Sequence, residues 1–486
     1  MKKTTRGVIA RTLPIGLLFF LPWTMMAQQV LSLDSCRSMA LRNNKQMSIA
    51  KAKQDIAANT RKSARTQYLP KVNALGGYMW TSKEISILDD EKKTALSNLG
   101  TNTAAGLQNS LSALSALGIT LDLTPLASVL NQTGIGLVDA LRTDTRNMFA
   151  GAVMVTQPVF MGGAIVALNK MADINEDLAA NSLDMQRQNT LYNIDQAYWQ
   201  VVSLRHKQKL AESYLQVVQK LDGDVQKMID EGVATRSDGL NVKVKVNEAE
   251  MTLTKVNDGV VLSKMLLCQL CGLPVDSQII LADEEKDNLT ETAATPQIDM
   301  GLVATNRPEL RMLQNSIDLS KQQTNILKAG NLPTLALTGG YAVTNPNTLN
   351  GFQKRFAGLW NVGVMVRIPI WNWGDVKYKV RAAKGSTTMA RLEMEEVQEK
   401  IELQVKQSSF KVKEASKRLA MAQANIAHAE ENLRTANLGF AEGVITTTTV
   451  LEAQTAWLKA QSEKIDAEID LKLSQVELQK ALGTLE

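Results

Sequence analysis

Three cysteines, two histidines and one acidic run are the residues of this sequence whose types and spacing could carry chemistry. Cys268-Gln269-Leu270-Cys271 has the spacing of a redox dithiol or of half a metal site. That reading asks for a strand–helix context, whereas this pair stands at the end of a helical stretch before Gly272. In the internal repeat described below Cys271 corresponds to Leu482, so packing accounts for it. Cys36, in Leu33-Asp34-Ser35-Cys36, lacks the small apolar residues of a lipid-attachment site. His206 and His428 do not correspond between repeats and read as helix-surface residues. Glu284-Glu285-Lys286-Asp287 belongs to a polar, acidic linker. No nucleotide loop, catalytic triad or metal cluster is visible, so the reading is of a non-enzyme with no cofactor.

Charge and hydropathy narrow the class. The formal net charge is +5 over 486 residues, but Lys2, Lys3, Arg6 and Arg11 supply four of those charges, leaving 5 − 4 = +1 for the rest. Such a balance gives no footing for nucleic acid. Residues 1–27 combine a basic start with the apolar run Leu13 to Trp23, and Ala27 suits a cleavage site; this is the pattern of a signal peptide. No later segment offers about 18 uninterrupted apolar residues, the length a spanning helix needs. An exported chain without a transmembrane helix is expected.

The elements that would position any site are set by a repeat. Val153 to Gly163, V-M-V-T-Q-P-V-F-M-G-G, is echoed by Val364 to Gly374, V-M-V-R-I-P-I-W-N-W-G, and the offset of 211 recurs from Glu231-Gly232-Val233 to Glu442-Gly443-Val444 and from Gly272 to Gly483. An in-register repeat of this length means two copies of one supersecondary unit. Upstream, Asn43 to Asn306 and Leu69-Pro70 to Leu332-Pro333 share an offset of 263, because the first hairpin carries 52 extra residues. That insert, about residues 81–146, is rich in Ser, Thr, Asn, Gly and Leu and reads as a partly helical surface elaboration or a mobile loop.

Each copy opens with a helix (residues 31 to 67, and Ile298 to about Lys328) and continues into two strands, 71–80 with 148–157 and 334–343 with 359–368. The strands alternate. Val72, Ala74, Tyr78 and Trp80 share one face, as do Phe149, Val153 and Val155, then Leu335, Leu337, Tyr341 and Val343, then Trp360, Val362, Val364 and Val366; Asn73, Thr156, Thr338, Asn361 and Arg367 face the other way. This is the pattern of a transmembrane β-barrel strand, and also that of a half-buried soluble sheet. The export signal and the aromatics tip the reading to membrane, with Tyr78, Trp80, Phe160, Tyr341, Trp360 and Trp371 as boundary residues. Four strands cannot close a barrel and an open edge cannot persist in hydrocarbon, so strands must be pooled between chains.

Two proline-free stretches follow, 163–231 and 374–442, each long enough for a helix of roughly 100 Å. The second keeps a heptad, with Val405, Val412, Leu419, Ile426, Leu433 and Phe440 at one position and Ser408, Ala415, Ala422, Ala429 and Ala436 at the other. Gly232 and Gly443 are expected to end the helices in left-handed turns. Ser237 and Thr448 are expected to cap the returning helices, 237–272 and 448–483. The chain thus divides into a leader, 1–27; a first repeat, 28–274; a linker, 275–297, with at most a short strand at Ile279–Leu281; and a second repeat, 298–486. The fold class is mainly α with a small β portion, in two tandem repeats.

This doubled order resembles the TolC family of outer-membrane efflux proteins. It is carried by L-S-L-D…A-L-R-N-N from Leu31, by the Leu-Pro pairs before strands, by the Pro-to-Gly junctions, and by the tips E-G-V-A-T-R-S-D-G-L and E-G-V-I-T-T-T-T-V-L. The resemblance covers residues 31 to 485. It implies a homotrimer whose four strands per chain build one transmembrane β-barrel, continued by a periplasmic α-barrel of antiparallel coiled-coil helices. Its partners would be a periplasmic adaptor, an inner-membrane pump and outer-membrane lipid. It implies that Gly232, Val233, Gly443 and Val444 are gripped by the adaptor. Asp238, Glu452, Thr449 and Phe440 would lie at the pore constriction, with Phe440 and Ile445 replacing polar members of a closing network, so that closure rests on packing. Glu452 reads equally as a lumen carboxylate or as a solvated helix glutamate. The function expected is an exit duct for efflux or type I secretion; the alternative is an exported trimeric coiled-coil structural protein or adhesin.

Overall fold

A computed structural model describes residues 29–84, 86, 88–110, 122–142, 144–286, 289, 298–347 and 353–485. The expected leader, 1–27, lies outside the described residues, as do parts of the expected insert and linker. In chain order the elements are β1 (Gln29–Leu31), α1 (Leu33–Asn43), α2 (Lys45–Arg65), β2 (Lys71–Trp80), α3 (Asp90–Ser97), α4 (Leu99–Ser110), α5 (Thr124–Ala140), β3 (Asn147–Met161), α6 (Ala164–Asp230), α7 (Arg236–Cys271), β4 (Ile279–Leu281), α8 (Met300–Asn306), α9 (Pro308–Ala329), β5 (Thr334–Asn345), β6 (Ala357–Arg367), α10 (Asp375–Ala441) and α11 (Thr447–Leu482). The chain is mainly helical with a small β portion, and the order from α1 to α7 recurs from α8 to α11. No helix among the described residues is long and apolar enough to cross a membrane.

The helix expected over 31 to 67 is broken at Asn44, whose extended backbone separates α1 from α2. The helix expected from Ile298 is broken at Arg307, because Pro308 disfavours a helical residue before it and itself opens α9. The two breaks are again 263 positions apart.

The chain divides into two compact units. One comprises Ala50–Asp184 and Pro308–Lys400. Its centre is an antiparallel sheet in the order β2-β3-β5-β6, with one edge of β2 and one of β6 left without a partner strand among the described residues. The register aligns the apolar set named from sequence: Ala74 is level with Val153, Tyr341 and Trp360, and Val72 with Val155, Gly339 and Val362. All four strands therefore present one continuous face, and its large residues are exposed: Val72, Tyr78, Tyr341, Trp360, Val362 and Val364. The strand expected to end at residue 157 runs on to Met161, through a bulge between Pro158 and Phe160 that accommodates the missing proline donor. The helices α2, α6, α9 and α10 adjoin one end of this sheet, and the insert with α3, α4 and α5 springs from the other.

The other unit comprises Met1–Ile49, Met185–Arg307 and Ile401–Glu486. The heptad residues Val405, Ser408, Val412, Ala415, Leu419, Ala429 and Ala436 of α10 are buried, as close coiled-coil packing requires. A second core gathers Cys36, Ile194, Tyr198, Val201, Leu267, Cys268, Cys271 and Leu281. The described part of the segment expected to be a linker, 275–286, is docked here. Its strand β4 pairs in parallel with β1. Glu284 is 2 % exposed; its carboxylate accepts from the Leu281 amide at 3.0 Å and pairs with Lys264 at 3.0 Å and Arg205 at 3.5 Å.

Candidate functional site

The two tip turns are built alike. At the first, the Val233 amide donates to the Met228 carbonyl at 2.8 Å and the Gly232 amide to Ile229 at 3.0 Å; at the second, Val444 donates to Gly439 at 2.8 Å and Gly443 to Phe440 at 3.0 Å. These nested bonds close a helix only when the residue after it is left-handed, and Gly232 and Gly443 have φ of 78° and 73°. Val233 and Val444 project from the turns, 73 % and 81 % exposed. The four residues thus sit in pairs on two equivalent, apolar-tipped turns.

The caps of the returning helices differ from expectation. Thr235 and Thr446, not Ser237 and Thr448, are the N-caps. Thr235 accepts from the Asp238 amide at 3.2 Å while Asp238 accepts from the Thr235 amide at 3.0 Å and its hydroxyl at 2.6 Å, a reciprocal capping box. These bonds hold the Asp238 carboxyl below its ordinary range. In the second tip Thr446 accepts from the Thr449 amide at 3.4 Å, and the two hydroxyls lie 3.1 Å apart. The Asp238 and Thr449 side chains are therefore turned back onto their own turns.

Glu452 is exposed in a groove of about 700 Å³ between α7 and α11, which it shares with Asn241, Thr448, Lys245 and Lys459. Lys245 is paired with Glu248 at 2.7 Å. Phe440 and Ile445 pack against an apolar tip core that includes Val218, Val225, Val242, Ala436 and Val450. Two contributors were not foreseen. Gly439 lets Ile445 lie against α10, since a Cβ there would come within 2.6 Å of the Ile445 Cδ1. Gln454 is 2 % exposed on α11, and its Oε1 has no hydrogen-bond partner among the described residues. Nothing in the spacing marked it, because a glutamine within a helical stretch reads as a solvated residue.

At the sheet, Tyr78 stacks 4.8 Å from Phe149 and donates to Asn147 at 2.8 Å near the end that bears the insert, beside Trp80. Phe160 and Trp371 are exposed at the helix end, where Trp371 meets Trp373 edge-on at 5.7 Å. Tyr341 and Trp360 are paired across strands, some way in from the insert end. Trp373, not singled out from sequence, holds a left-handed φ of 53°, in the place that Gly162 takes in the first repeat. Cys36, Cys268 and Cys271 are free thiols buried in the core, with burial pushing the Cys268 thiol up.

A sheet with two open edges, and doubled helical hairpins closed by Gly-Val turns, is the geometry against which relatives can be compared. The family model described as "Outer membrane efflux protein" matches residues 36–273 and 300–484, nearly all of the described chain. The chain belongs to this family. It is 24 % identical over 268 residues to the outer membrane efflux protein BepC of Brucella suis, covering 53 % of this chain and 55 % of that one. It is 24 % identical over 196 residues to the outer membrane protein TolC of Escherichia coli, covering 38 % and 40 %. The chain thus spans about half the length of the curated relatives it matches. Among solved structures, the outer-membrane channel OprN matches with a TM-score of 0.72 at 17 % identity, over 93 % of this chain and 90 % of that one. Membership places this efflux-family chain in the outer membrane, extending into the periplasm. OprN is described as an outer-membrane channel, and BepC, like the family, as an outer-membrane efflux protein.

Proposed function

We propose that three copies of this chain join through the open edges of β2 and β6 into a twelve-stranded barrel, and that the barrel with its helices is the exit duct of a tripartite efflux or type I secretion system. The observation that carries this reading is the sheet itself. Its exposed apolar and aromatic face suits lipid, and its two unpaired edges have no stable state in hydrocarbon until another copy pairs with them. The aromatics Tyr78, Trp80, Phe160, Tyr341, Trp360 and Trp371 would mark the membrane boundaries. The turns at Gly232-Val233 and Gly443-Val444 would receive a periplasmic adaptor that couples the duct to an inner-membrane pump. Glu452, Asp238, Thr449 and Phe440 would surround the narrow end of the bore.

The test is a planar-bilayer recording on the detergent-purified protein, together with a gel of unheated and heated samples. A heat-labile oligomer band and unitary conductance are expected. A soluble, non-conducting product would instead be the coiled-coil structural protein that the same helices could form.

A further inference from the structure

The insert carries a surface that the duct reading does not use. From Thr94 to Leu141 the sequence has two charged residues, Asp122 and Asp139, and no Lys or Arg. The insert helices fold tightly on one another. A Cβ at Gly100 would lie 2.0 Å from the Ala127 carbonyl oxygen and one at Gly134 would lie 1.8 Å from that of Leu96, so the helix backbones touch. Asn131 ties them further, accepting from the Gly100 amide at 2.7 Å. Beside exposed Thr, Asn, Gln and Ser side chains, this bundle leaves an apolar stripe outside. Leu126, Val129 and Leu137 follow one stripe of α5 and are 44 %, 61 % and 46 % exposed. Thr133, on the same stripe, donates its hydroxyl to the Val129 carbonyl at 2.8 Å and so asks nothing of a partner.

The geometry points to a second copy of this chain as the occupant of that stripe: the inserts of neighbouring copies pack together as an apolar collar at the outer mouth. The inference rests on the proposed trimer, because the insert is rooted at Trp80, the last residue of the edge strand β2, at the sheet end away from α6 and α10. Joining β2 of one copy to β6 of the next therefore brings the inserts around one axis. Position and charge together set this occupant above a lipid surface. The insert begins past Tyr78 and Trp80, at the proposed membrane boundary, so a lipid occupant would be the headgroup layer, whose phosphates are held by Lys and Arg; the stripe lies in a stretch that has neither. Gly136 on α5 leaves open space where a Cβ would stand, so a neighbouring backbone has room to approach.

Val129→Cys provides the test, since the three natural cysteines are buried. Purified oligomer is oxidised with copper-phenanthroline and run unreduced, beside Asp90→Cys, whose side chain is 98 % exposed at the start of α3. A covalent dimer at least tenfold more abundant for Val129→Cys than for Asp90→Cys is expected. Native mass spectrometry of the same sample separates the two ways of failing. A trimer without the cross-link overturns the collar alone; absence of a trimer overturns the duct reading with it. A bimane label at the substituted position that is quenched by brominated lipid would place the stripe against the membrane and equally overturn the collar.

Discussion

Gly272 closes α7 directly against Asn43: a Cβ at Gly272 would stand 2.6 Å from the Asn43 Cβ, and its φ of 74° is left-handed. The second repeat copies the contact, with Gly483 against Asn306 at 3.1 Å and a φ of 73°. Each helix end is thus seated on the break that follows the first helix of its repeat. Gly272→Ala is expected to cost about 2 kcal/mol or more, combining left-handed strain with overpacking. Gly483→Ala should cost less, because its neighbour is farther away. Urea unfolding of the detergent-solubilised protein reads both, and equal stability in all three proteins would refute the contact's role.

Arg37 donates from Nε and Nη2 to Asp195 at 2.8 and 2.6 Å, and the Asp195 side chain is fully buried. Burial pushes the Asp195 carboxyl up, against the pull of Arg37. Arg37→Met would leave a buried, unpaired carboxylate and is expected to cost about 3–5 kcal/mol at neutral pH. The sign of the pH dependence follows from the raised folded value. Its contribution is present below the unfolded carboxylate range of about 4 and is lost as pH rises through the folded value. The gap between variant and wild type should therefore narrow on acidification. A gap constant with pH would show that Asp195 does not titrate with folding.

The face of each strand was legible because a period of two leaves no choice: placing Val72 fixes Ala74 and Tyr78, and the observed pairing of Tyr341 with Trp360 follows. The tip glycines were legible because few other residues adopt the required φ. The caps were not. Thr235 and Ser237, like Thr446 and Thr448, offer hydroxyls two positions apart, and the turn geometry decides within each pair, with Asp238 bonding back at the first. The burial of Glu284 was equally hidden, since Arg205 and Lys264 reach it from distant parts of the sequence. The collar stripe was invisible because the apolar residues of α5 read the same whether they face a core or solvent.

Gln454, buried on α11 next to Ala453 of the tip core, has an amide oxygen without a hydrogen-bond partner among the described residues. Replacing it by leucine removes that desolvated group at nearly constant volume, so Gln454→Leu is expected to gain about 1–2 kcal/mol. The same denaturation series measures it. A loss of stability would mean that a neighbouring copy satisfies the amide in the assembled protein.

A Cβ at Gly443 would meet nothing within 4 Å, so a side chain there starts into open space. Gly443→Trp is expected to leave the oligomer intact on gels at a strain of about 1–2 kcal/mol. It should also abolish resistance to whichever toxic compound deletion of the gene sensitises cells to. Unchanged resistance would remove the Gly443-Val444 turn from the docking reading.

Glu452 shares its groove with Lys245 and Lys459, so the net field on a passing ion is smaller than a lone ring of carboxylates would give. Lys459 is exposed and Lys245 half-buried, each with a carboxylate of its own nearby (Glu463 at 3.8 Å and Glu248 at 2.7 Å), and salt screens these charges beyond about 8 Å. Glu452→Gln should accordingly lower the cation-to-anion permeability ratio by only about twofold at low salt, with little effect at high salt. Lys245→Met should shift the ratio the opposite way, because it frees Glu248 as well as unmasking Glu452. Reversal potentials across a salt gradient in planar bilayers measure both variants. If neither moves the potential, Glu452 is a solvated helix glutamate, and the narrowest part of the bore lies elsewhere.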